Sequence, residues 1–150
     1  MSKKSSKKTD EPKFYELSEE SEKVFYEVFN KKIFPLSLRF QFLGARQDSL
    51  IKLTKLPDKY AFLMEKDILV EINEEILESF DGESITILIE QEIDKIFMDG
   101  NSGKIKLIKP DLSTFSAIIN KYGVDKVARA NQVEELYNQQ SKDKDDDFII

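Results

Sequence analysis

The chain of 150 residues is long enough for one domain with its own core, and its 40% apolar and 35% charged residues suit a globular protein with solvated faces. It contains neither cysteine nor histidine. That excludes disulfides, thiolate nucleophiles, thiolate or imidazole metal sites and Ser-His-Asp triads, leaving carboxylates, lysines, tyrosines and hydroxyls for chemistry and oxygen-liking ions such as calcium or magnesium as metals.

The formal net charge of -6 argues against nucleic-acid binding through a generally basic surface. No apolar run approaches the ~20 residues that span a bilayer, so no membrane partner is expected. The start "MSKKSSKK" lacks the apolar core of a signal peptide, and the expected compartment is intracellular.

Residues 1–13 hold five lysines against Asp10 and Glu11 and read as a flexible basic arm. Ser18 can cap a helix with an acidic first turn, "SEESEKVFYEVFNKK", whose Val24, Phe25, Val28 and Phe29 share one face, with Pro35 as its stop. "LSLRFQF" alternates as a half-buried strand with Leu36, Leu38, Phe40 and Phe42 on one side, and "SLIKLTKL" repeats the alternation more weakly. A loop with Pro57 and the segment "KYAFLME" follow, then "DILVEI", a run typical of an interior strand. Phe25, Phe29, Phe40, Phe42 and Phe62 follow these periods and are assigned to the core, not to a base-stacking platform.

Asn73 caps a short helix, "EEILESF", ended by Asp81-Gly82. The next helix, "ITILIEQEIDKIFMD", extends from near Glu83 to Asp99. At about 100° per residue Ile85, Leu88, Ile89, Ile93, Ile96 and Phe97 cover one arc, and Glu92 falls inside it, with Gln91 and Lys95 at its edge. A carboxylate on a core-facing stripe is costly unless paired or used, so this turn is the first place to look for chemistry. "DGNSG" is a turn and "KIKLIK" a strand. Pro110-Asp111 starts the helix "DLSTFSAIINKY", Gly123 ends it, and "DKVARANQVEELYNQQ" is the last helix of a domain spanning residues 14–140. Residues 141–150, with four aspartates against two lysines, form an acidic tail. The order of elements is that of an α+β fold with a short sheet packed on helices.

From about Phe42 to Gly123 the stretches "KDILVEINEEILESFDGESITILIEQEIDKI" and "GKIKLIKPDLSTFSAIINKYG" resemble the phage metallopeptidase family in element order and apolar pattern. The resemblance implies a small zincin-like domain in which a helix bears His-Glu-x-x-His. Two imidazoles one turn apart hold zinc there, and the glutamate between them acts as general base. The motif falls on "QEIDK": Gln91 and Lys95 stand at the imidazole positions, only Glu92 is kept, and Pro110 stands where a downstream ligand is implied. Glu92 then reads as the remnant of a centre that lost its metal, neutralised by Lys95. The alternative is that Glu92 simply lies at a solvated edge.

These residues lead to the expectation of a catalytically dead metallopeptidase-like protein with no cofactor and no metal. It would serve as a structural or protein-binding module in a phage, in the host cytoplasm or the virion, with other proteins as partners. Two alternatives are a free inhibitor of a host protein and a metal-dependent hydrolase using a non-histidine site.

Overall fold

The computed structural model describes residues 12–34, 37–109 and 112–149, except the side chains of 112–115 and 141–149. A four-stranded sheet is ordered β1 (Phe14–Tyr15), β2 (Phe40–Ala45), β4 (Ile68–Ile72), β3 (Ile51–Lys55). β2 and β4 run parallel and the two outer pairings are antiparallel. The interior position of β4 matches its apolar run, since Ile68, Val70 and Ile72 are almost wholly buried.

Helix α1 (Glu19–Phe29) starts where the Ser18 hydroxyl accepts from the Ser21 amide, and Glu19, Glu20 and Glu22 favour its positive end. Phe25 and Val28 are buried in its core-facing stripe, and the Phe25 ring meets Phe40 and Phe42 edge-on at 5.0 and 5.4 Å. Helix α2 (Asp58–Met64) lies in the connection from β3 to β4. Asn73 caps α3 (Glu74–Ser79), accepting from the Glu75 amide, and Asp81 caps α4 (Gly82–Ile93), accepting from Ser84. α4 is the central helix: Ile85, Ile87, Leu88, Ile89 and Ile93 are all buried as it packs against α1, β3 and the last helix.

A hairpin of β5 (Ile96–Met98) and β6 (Ile105–Leu107) follows, closed by Asp99, whose carboxylate accepts from the Asn101 amide and the Ser102 hydroxyl. α5 (Leu112–Tyr122) and α6 (Val124–Ile149) are separated by Gly123, which takes φ +94° at the break as few other residues can. Gly44 is required for another reason: a Cβ there would stand 2.3 Å from the Tyr15 ring laid across it.

The α+β architecture is the one expected, but four local readings are corrected. The helix expected over residues 85–99 stops at Ile93, and Ile96–Met98 turn into a strand in which Phe97 points outward, about half exposed. A short apolar run after a helix satisfies either period, and pairing with β6 decides it. Phe62, assigned to the core, is 81% exposed, because α2 buries none of its residues. The second strand begins at Phe40, leaving Leu38 half-buried outside it, while Leu36 and Pro35 lie outside the described residues. The last helix runs to Ile149 instead of ending near residue 140. The basic arm lies outside the described residues except Pro12 and Lys13, as do the side chains of the acidic tail.

Candidate functional site: a buried carboxylate at the end of the central helix

The last turn of α4 presents its polar side chains in two directions. Glu90 and Asp94 stand one turn apart and point the same way. Lys32, just beyond α1, reaches between them, with its Nζ 2.8 Å from Glu90 Oε2 and 2.9 Å from Asp94 Oδ1. From α5, Lys121 Nζ lies 3.2 Å from each Glu90 oxygen, and the Tyr122 hydroxyl donates to Oε1 at 2.5 Å. Glu90 is only 4% exposed. One carboxylate thus ties α1, α4 and α5 together.

Burial alone would raise the Glu90 carboxyl, but hydrogen bonds from Lys32, Tyr122 and Lys121 outweigh it and hold the group below the usual carboxylate range. The Lys32 ammonium is held charged above its ordinary value, because Glu90 and Asp94 more than offset its partial burial. Burial and the bond to Glu90 push the Tyr122 hydroxyl far above a normal tyrosine. At neutral pH Glu90 is therefore a fixed anion and Tyr122 a fixed donor. Neither is poised to exchange a proton.

Glu92 points the other way and meets Lys95 Nζ at 2.8 Å, their side chains 17% and 34% exposed. Gln91 is half-buried beside them. Pro110 lies outside the described residues, and of the other three positions of the expected degenerate site the structure joins Glu92 to Lys95. Glu92 is part-buried on the arc of Ile85, Leu88, Ile89 and Ile93, and the more deeply buried carboxylate of this helix is Glu90, on its opposite side. Lys32, Glu90, Asp94, Lys121 and Tyr122 were missed from the sequence. The four-residue spacing of Glu90 and Asp94 was readable as one helical face, but Lys32 is 58 residues away from Glu90 and carries no local signal.

The donor set does not fit the zinc that the resemblance implies. An amide, a carboxylate and an ammonium stand at the motif positions, and a lysine nitrogen within ion-pair reach of Glu92 repels a divalent cation. Among the described residues no group of three or more carboxylates converges as metal ligands would.

Two surface features lie apart from this cluster. α2 exposes Tyr60 (51%), Phe62 (81%), Leu63 (67%) and Met64 (42%). Beside it a groove of about 690 Å³ runs between the end of β3 and the β5–β6 hairpin, with Leu56, Ala61, Ile105 and Leu107 among its lining and Lys55, Lys104 and Lys106 contributing cations.

No curated protein and no solved structure matches the chain. A family model described as "Putative phage metallopeptidase" matches residues 6–140. This finding corrects the expectation that the protein is not an enzyme: the family is named for a peptidase, and its description points to a protease. With residues 6–140 matched, most of its length, the chain belongs to the phage metallopeptidase family.

Proposed function

We propose that this protein works by binding another polypeptide within a phage assembly, with α2 as the principal contact. The observation that carries the reading is the exposure of Tyr60, Phe62, Leu63 and Met64 on a helix that buries nothing of its own fold. A soluble domain gains nothing from such a helix unless a partner covers it, and aromatic and long aliphatic side chains are the ones that anchor interfaces. The site of action is the host cytoplasm or the virion.

The test compares particles and lysate. Mass spectrometry of purified particles should find the chain in stoichiometric amounts, and Phe62→Ser with Leu63→Ser should displace it into the soluble fraction without lowering its melting temperature. Equal incorporation of the variant would overturn the role of α2, and absence of the wild type from particles would overturn the assembly reading.

The family description favours a second reading, hydrolysis of a bound peptide. Incubation of the protein with an unfolded polypeptide, with and without added divalent ions, decides this reading through the appearance of new peptide termini.

A further inference from the structure

We infer that the groove beside α2 binds an extended, acidic segment of the partner polypeptide as an additional strand on β6. This inference names the ligand class for the binding function proposed above and rests on that reading, but it stands on different residues.

The backbone supplies the first half of the case. The Asp99 amide donates to the Lys104 carbonyl and the Ile108 amide to the Lys95 carbonyl, which sets the phase of the hairpin. The inward-bonded positions on β6 are therefore 104, 106 and 108, and the backbone groups of Ile105 and Leu107 face away from β5. Among the described residues β6 pairs with β5 alone, so its outer edge joins no ladder, and seven consecutive residues, Ser102 to Ile108, line the groove beside it. β3, whose end forms another part of the wall through Lys55 and Leu56, is likewise an edge strand of its sheet. An incoming strand can take the free amides and carbonyls of Ile105 and Leu107 in the manner of strand addition.

Charge supplies the second half. The chain as a whole carries -6, which repels acidic ligands generally. The groove is an exception. Lys104 and Lys106 are exposed and form no ion pair among the described residues, and Lys55 adds a third cation, lightly engaged with Asp58 at 3.6 Å. The other acid in the wall, Asp67, is already engaged by Arg39. In the same wall the partly exposed Ala61, Ile105 and Leu107 offer apolar surface to aliphatic side chains. Alternating acidic and apolar residues at the spacing of two that a strand imposes fit both.

The experiment uses the full chain and three fluorescein-labelled octapeptides followed by anisotropy: alternating Asp and Val, alternating Lys and Val, and the acidic peptide with N-methylated amides along one edge. The acidic peptide should bind, more weakly as salt is raised, and the Lys104→Glu, Lys106→Glu double variant should weaken it on the order of tenfold. The N-methylated peptide should lose binding to a similar degree. Both lysines are exposed, and an unchanged thermal melt of the variant confirms its fold. Equal binding of acidic and basic peptides, or indifference to the charge reversal, would overturn the inference. It would also be overturned if the wild type self-associates through these lysines and loses that association when residues 141–150 are removed, because the groove would then belong to the acidic tail of a second copy. Loss of particle incorporation in the α2 variant with peptide binding intact would separate the two proposals, since α2 and β6 are tested independently.

Discussion

Replacing Lys32 by Met removes the ammonium that lies 2.8 Å from Glu90 and 2.9 Å from Asp94 while keeping most of its aliphatic stem. Breaking a fully buried pair from one side costs about 3–5 kcal/mol. Here the stranded carboxylate retains the Tyr122 hydroxyl and Lys121, and Lys121 is half exposed and correspondingly weaker. The expected loss is therefore about 2 kcal/mol, below the full buried value but above that of a surface pair. Adding Glu90→Gln to Lys32→Met removes the uncompensated charge and should restore about half of the loss.

Urea melts of wild type, both single variants and the double variant at pH 7 close the cycle. A depressed folded value means that the Glu90 contribution is complete above the ordinary carboxylate value and disappears as pH falls through the folded one, so the gap between wild type and Lys32→Met should narrow on acidification. Single effects below about 0.5 kcal/mol that simply add would refute the account of Glu90 as the tie between three helices.

Lys95→Met should cost only about 0.5–1 kcal/mol, because its pair with Glu92 is partly solvated, and urea melts would show a larger loss if that site were sealed. Gly44→Ala should cost about 1–3 kcal/mol as the Tyr15 ring is forced aside, and Tyr15→Ala should make the same substitution nearly neutral in thermal melts. The raised Tyr122 value places its effect on the alkaline side. Its contribution is complete below the ordinary tyrosine value near 10 and falls as pH rises beyond it, so Tyr122→Phe should flatten the decline of stability above about pH 10.

The fold was legible wherever one period dominated. The caps Ser18 and Asn73, the interior run of β4 and the stop at Gly123 all came from local chemistry that tertiary structure had no reason to override, whereas Asp81, read only as a helix end, also caps α4. Legibility failed at Ile96–Met98, where an apolar triplet continued a helical stripe but was captured by β6, and at Phe62, where apolar character was equated with burial. At the site, the place of Glu92 on the apolar arc and then the motif register directed attention to it, and its bond partner Lys95 was readable three residues on. Glu90 was not singled out, because its importance comes from Lys32 and Tyr122, which only the packing of α1 and α5 brings to it.

The order of the sheet constrains the route by which the chain reaches it. β2 and β3 are consecutive and joined by residues 46–50, yet β4 lies between them. The easiest early pairing, a hairpin of β2 with β3, is therefore absent from the native sheet, and forming it would block the slot that β4 must fill. Residues 46–50 must span two inter-strand spacings, about 10 Å, instead of turning tightly. Asn73, which is buried, holds them in that spread position: its amide nitrogen donates to the Gln47 carbonyl, and its backbone N–H donates to that of Leu50. Because Asn73 follows β4 directly, the connection can be locked open only after β4 has arrived, and the same residue that starts α3 thereby rewards the correct order of assembly.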